Sequence, residues 1–205
     1  MAPLVRLACA SQADQRLANL GKRMNKCIIV IDLQNDYLPS GKLPLSGIAS
    51  ASSNAALVLD NARSRGIPVF HVRHEATDAN APVFVAGSHG AEIQAAVAPL
   101  ADEPVIVKRH VNAFRDTDLQ PILQQNGITD VVIVGAMSHM CVDACVRAAA
   151  DLGYSVTVLH DACATMDLTF DGVTAPAAQV HAAMMAAFQF GYAAVHSTQE
   201  YLQHS

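Results

Sequence analysis

The sequence predicts an α/β fold in which a parallel sheet is covered by helices on both faces. Three observations lead there. Short branched apolar runs alternate with helical patterns along the chain, the arrangement that builds parallel sheets through crossover helices. Each run is near-continuously apolar, as a strand buried on both faces should be. Several helical stretches end on a glycine just past the last turn, where a left-handed residue closes a helix.

Taken in order, the first strand is CIIVI (27 to 31); PSGKLPLSG then leads to a helix near 48 to 65 that closes at RSRGIP. The second strand is IPVFHV (67 to 72), followed by HEATDANAPVFVAGSHG and a helical stretch near 90 to 97. PVIVK (104 to 108) is third, with a helix near 117 to 126 closing at QQNGITD. DVVIVG (130 to 135) is fourth, and an Ala-rich helix near 141 to 152 closes at DLGYSV. SVTVLH (155 to 160) and AAVH (193 to 196) complete six strands, with helices near 176 to 190 and 198 to 204. The two irregular stretches, PSGKLPLSG and HEATDANAPVFVAGSHG, are long for a compact domain, and such loops are usually functional.

With 205 residues and no composition shift, a single domain over 24 to 205 is expected. Residues 1 to 23 read as a peripheral extension, because MNKCIIVIDLQNDY from Met24 looks like a natural start. A 52% hydrophobic content rich in alanine, with 15% charged residues, points to a homodimer or homotetramer that buries part of its surface. A net charge of -5 without a basic cluster excludes a nucleic-acid binder. The most apolar stretch, HAAMMAAFQFGYAAV, is broken by His181, Gln189 and Gly191, so no membrane association is expected. Five cysteines (9, 27, 141, 145, 163), odd in number and without a C-x-x-C pair or a signal-type leader, indicate free thiols in the cytoplasm.

In open parallel sheets ligands bind beyond the carboxyl ends of the strands. Three polar residues stand there: Asp32 after CIIVI, Lys108 closing PVIVK, and Cys141 after the turn that follows VVIVG. Alone, each has an ordinary reading as a turn former, a solvated lysine or a packing thiol. Together they form a site for attack on a carbonyl, which needs a thiolate. The first turn of a helix favours that anion, an ammonium adds to this, and an aspartate takes the proton. Ser138 is read as the cap of the Cys141 helix. His139 is set aside as a base, since adjacent helical residues point in different directions, and Cys27, Cys145 and Cys163 are read as packing.

The motifs VIDLQNDY, VIVKRHVNAF and VVIVGAMSHMCVDACVRAAADLGYSVTVLHDACAT resemble those of the isochorismatase-like cysteine hydrolases, which include nicotinamidase, N-carbamoylsarcosine amidase and streptothricin hydrolase. The resemblance runs from about Cys27 to the C-terminus. It implies a three-layer α/β/α, Rossmann-like arrangement with strand order 3-2-1-4-5-6 and a Cys141–Asp32–Lys108 triad. Cys141 would be the nucleophile, Asp32 the proton carrier and Lys108 the partner of both. In that order the third strand lies two places from the first, about 10 Å away, a gap that a lysine spans. The resemblance also implies a cis peptide between Ala136 and Met137 and an oxyanion hole formed by the Met137 and Cys141 amides.

Relatives that hydrolyse a vinyl ether lack the nucleophilic cysteine, so Cys141 points to acyl C–N cleavage of a small amide, hydrazide, ureide or lactam. Nicotinamidases add a metal at an Asp-x-His; HVRHEATDAN has His71, His74 and Glu75 but no such pair, so neither metal nor cofactor is expected. His71 is read as a strand residue and His74 as loop or pocket wall. Gln34, Tyr37, Asn112 and Phe114 fall at pocket-lining positions, with loop packing as the alternative. Ether hydrolysis, and a non-catalytic ligand-binding or redox-sensing oligomer, remain as rival readings.

Overall fold

A computed structural model of the chain describes residues 25–204; the peripheral-extension reading and Cys9 lie outside them. Strands β1 (Lys26–Ile31), β2 (Val69–His74), β3 (Val105–Lys108), β4 (Asp130–Ala136), β5 (Ser155–Ala164) and β8 (Ala194–His196) form one sheet in the order β3-β2-β1-β4-β5-β8. All its pairings are parallel. This is the expected order, with β8 as the sixth strand. A short antiparallel hairpin of β6 (Leu168–Phe170) and β7 (Val173–Ala175), absent from the sequence reading, intervenes.

Helices α1 (Ile48–Ser64) and α5 (Thr198–His204) cover one face; α2 (Leu119–Gln125), α3 (Cys141–Asp151) and α4 (Ala177–Gly191) cover the other. Strand alternation sorts the core into these layers. Ile28, Val30, Val132 and Val134 pack with Ala55, Val58 and Leu59 of α1, whereas Ile29, Ile31, Val131 and Ile133 pack with Val142, Cys145 and Val146 of α3. Among the described residues no helix is long and apolar enough to cross a membrane.

Two expectations need correction. The stretch 90 to 97 is not a helix but two 3-10 turns, His89–Ala91 and Ala95–Val97. Between them Ile93 pairs antiparallel with Gln34, and the Gln94 amide donates to Leu33 O at 2.9 Å. That pairing uses the backbone groups a helix would need. Nor are all strands buried on both faces: β3 alternates, with Val105 39% and Val107 37% exposed, because it lies at the sheet edge.

One polar cluster ties α1, β2 and the approach to β3 together. Glu103 accepts from Arg63 Nε at 2.8 Å and from the Leu100 amide at 2.8 Å, and lies 3.0 Å from His71 Nε2. Burial acts to raise the Glu103 carboxyl, but Arg63, the Leu100 amide and His71 outweigh it and bring it down from 4.5 to about 2. Its stabilisation is therefore fully present above pH 4.5 and lost as pH falls toward about 2. Glu103→Gln is expected to destabilise the protein at pH 7 by about 1–3 kcal/mol. Urea unfolding at stepped pH should show the gap from wild type closing as the acid is titrated.

Candidate active site

β1 ends at Ile31, opposite Val72 on β2 and Gly135 on β4. Asp32 follows in the left-handed region (φ 49°), a conformation aspartate tolerates better than most residues, with its amide on Val72 O at 3.0 Å. Gly135 (φ 138°) lets β4 pass close by; a Cβ there would lie 2.1 Å from Ile31 O. The next peptide, Ala136–Met137, is cis. Met137 O then accepts from the Met140 and Val142 amides at 3.0 and 3.2 Å, and α3 begins at Cys141. Among the described residues the Met137 and Cys141 amides make no hydrogen bond.

Lys108, at the end of β3 and in register with His74 of β2, reaches back across the sheet. Its Nζ lies 2.8 Å from Asp32 Oδ2, 2.9 Å from His74 Nδ1, 3.1 Å from His110 O and 3.2 Å from Cys141 Sγ. The side chains of Lys108 and Asp32 are fully buried, and Cys141 is 5% exposed. The structure therefore brings all three strand-end residues together.

An ammonium has three protons for these four acceptors, so the contacts are shared. Burial acts to lower the Lys108 ammonium, but the Asp32 charge and then Cys141 override it and hold the pKa above the ordinary lysine value. For His74, burial first and Lys108 second push the pKa down, keeping the ring neutral with Nδ1 free to accept. Asp32 Oδ1 is buried with no hydrogen-bond partner among the described residues.

The surroundings of Cys141 work against the thiolate that the sequence favours. Burial, then the Asp32 charge, push its thiol up, against the opposing pull of Lys108. The reason is charge balance: Lys108 and Asp32 already cancel, and a thiolate would leave a buried net negative charge. A thiol within 4.8 Å of the Asp32 carboxylate is a proton donor close to an acceptor. One ligand atom from each of Asp32, His74 and Cys141 lies within 4.8 Å of the others.

The neighbouring residues are placed less as expected. Ser138 does not cap α3; Met140 holds the cap position without a side-chain bond. Ser138 instead extends the β4–β5 pairing, its amide and hydroxyl both on Ala164 O, with Oγ 2.9 Å from His181 Nδ1 of α4. His139 Nδ1 lies 2.6 Å from Thr165 Oγ1, which occupies it away from the thiol. Cys27, Cys145 and Cys163 are buried and free.

Gln34 is wholly buried, its amide donating to His74 O and Ala91 O and accepting from His74 N; it braces the site from within. Tyr37 is buried, and burial first, with the Asp32 charge second, raises its phenol. Asn112 Oδ1 accepts from the Phe114 amide at 2.9 Å. Phe114 stacks on Tyr154 at 6.2 Å, beyond the far end of α3 from Cys141, about 16 Å along the helix. The structure does not bring it to the triad. Phe84, unsuspected in the sequence reading, packs edge-on against Tyr37 at 4.9 Å and 5.8 Å from His74, its amide held by Asp36 Oδ2 at 2.7 Å. Its signal was an apolar VFV inside an otherwise polar long loop.

A family model described as the isochorismatase domain matches residues 26–200. The uncharacterized isochorismatase family protein YddQ of Bacillus subtilis (strain 168) is 44% identical over 180 residues, 88% of this chain and 100% of that protein. A streptothricin hydrolase of Streptomyces noursei is 32% identical over 145 residues, 70% of this chain and 51% of its own. A crystal structure from Oleispira antarctica, described provisionally as an isochorismatase hydrolase, has a TM-score of 0.84 at 51% identity, covering 87% of this chain and 96% of the other.

The charge balance has a testable sign. Asp32→Asn removes a charge that raises the thiol and leaves Lys108 to stabilise the thiolate, so Cys141 should titrate at lower pH. Iodoacetamide should label it about tenfold or more faster at pH 7. Lys108→Met should slow labelling. Mass spectrometry of the Cys141 peptide measures both, and slower labelling of Asp32→Asn would contradict the assigned balance.

Proposed function

The chain belongs to the isochorismatase family of hydrolases, and from that premise we propose that it cleaves an acyl C–N bond of a small molecule through a Cys141 thioester. The observation that carries this reading is the buried Lys108 ammonium touching both Asp32 (2.8 Å) and Cys141 (3.2 Å). Such a constellation lets a neutral thiol lose its proton only as it attacks.

The steps follow from the geometry. The Cys141 thiol passes its proton to Asp32, and Sγ bonds to the substrate carbonyl carbon. The carbonyl π pair moves to oxygen, where the Met137 and Cys141 amide hydrogens receive the developing charge. Asp32 then delivers the proton to the leaving nitrogen as the C–N bond breaks, leaving a thioester and a free amine. Water, deprotonated by Asp32, attacks the thioester; the acid departs and the proton returns to sulfur. Throughout, Lys108 offsets whichever of carboxylate and thiolate is charged, so the buried site never holds an unbalanced anion. No cofactor enters these steps. Tyr37, Phe84 and His74 would wall the substrate, and Asn112 would approach it from the loop after Lys108. Hydrolysis is also the reaction class in the name of the Streptomyces noursei relative.

The same reading includes a homo-oligomer. Phe170 (86% exposed) and Val173 (72%), paired across the hairpin, support it, since contiguous exposed apolar groups mark contact surfaces.

A hydrolysis screen over small amides, hydrazides, ureides and lactams should find substrates for the wild-type protein. Cys141→Ala should lose about 10⁴-fold or more in kcat. Intact-mass measurement should catch an acyl adduct on the wild-type chain and none on the variant. Undiminished turnover by Cys141→Ala would remove the thioester and favour the ether-hydrolase reading.

A further inference from the structure

Lys108 Nζ sits where a metal ion would sit. Its neighbours are a carboxylate oxygen of Asp32, an imidazole nitrogen of His74, the sulfur of Cys141 and the carbonyl oxygen of His110, at 2.8 to 3.2 Å. Carboxylate, imidazole and thiolate are the donor types that hold zinc. The three side-chain donors lie within 4.8 Å of one another. Zinc bonds of about 2.0–2.3 Å would draw each donor inward by about 1 Å or less from its present distance to Nζ. Asp32 Oδ1, buried and without a hydrogen-bond partner among the described residues, is the second oxygen of the same carboxylate.

We propose that Asp32, His74 and Cys141 form a latent site for a zinc-class divalent cation, whose centre the Lys108 ammonium occupies and thereby blocks. The charges are interchangeable. Lysine ammonium, carboxylate and neutral thiol sum to zero; so do Zn²⁺, carboxylate and thiolate once the ammonium has gone. Metal entry forms Zn–S, Zn–N and Zn–O bonds, releases the thiol proton to water and displaces the ammonium. The nucleophile is then a metal ligand and the proton acceptor is occupied, so the cation silences the hydrolase. Lys108 thus has a second role beside its catalytic one: it keeps a built metal site free of metal.

The test reads metal binding directly and does not depend on turnover. Lys108→Met should bind one Zn²⁺ per chain by isothermal titration and melt higher with Zn²⁺, whereas the wild-type protein binds at least about tenfold more weakly. Co²⁺ added to Lys108→Met should give a thiolate charge-transfer band. Cys141→Ser in that background should abolish the band, and His74→Ala should weaken binding about tenfold or more. Equal Zn²⁺ affinity in Lys108→Met and wild type, or binding unaffected by both second substitutions, overturns the proposal. Should Lys108→Met fail to fold, Lys108→Gln carries the test: Zn²⁺ should protect its Cys141 from iodoacetamide at a concentration about tenfold or more lower than the wild-type protein needs, and His74→Ala in that background should lose the protection. Equal protection of the two proteins, or none in Lys108→Gln, overturns it.

Discussion

A buried ammonium must be surrounded by acceptors, and that demand organises this protein. Lys108 is 1% exposed, and the transfer of such a charge out of water costs several kcal/mol even after relaxation. Its four contacts come from the residue just after β1, from β2, from the loop after β3 and from the start of α3. Removing one partner of such a pair typically costs about 3–5 kcal/mol, so the site is also a structural joint. The sheet order follows the same need: β2 lies between β3 and β1 and places His74 beneath the bridging side chain.

The path of the chain around that joint depends on close backbone approach. Gly135 lets the end of β4 sit against Ile31 where any side chain would collide with it. Asp32 turns out of β1 with positive φ, and the Met137 carbonyl gathers the Met140 and Val142 amides while Cys141 keeps its own free. Backbone, more than side chains, therefore sets the position of the sulfur and of the two unengaged amides beside it.

The central strands were legible because burial on both faces leaves a strong apolar mark on CIIVI and DVVIVG. The gathering of Asp32, Lys108 and Cys141 was legible because they stand at strand ends, where topology brings polar residues together. Elsewhere sequence fell short wherever a distant partner decided the outcome. Alanine-rich AEIQAAVAPL has helix propensity, yet its backbone pairs with Leu33 and Gln34. Ser138 has the chemistry of a cap but is drawn to Ala164 and His181. Phe114 follows Lys108 closely in sequence and ends against Tyr154. His74 looked like loop or wall, because its contact with Lys108 depends on the register of β2 against β3, which no local pattern encodes.

The edge position of β3 carries a consequence for how the site is assembled. The strand is four residues long, pairs only with β2 and leaves Val105 and Val107 facing water. Short edge strands open at lower free energy than the core they border. The Cys141 sulfur and the Asp32 carboxylate are set by the interior strands, but the Lys108 ammonium that contacts both arrives on a short edge strand paired on one side only. Assembly of the Asp32–Lys108–Cys141 cluster on refolding is thus an event beyond burial of the central core, since the outer strand must dock before its lysine can close across the sheet.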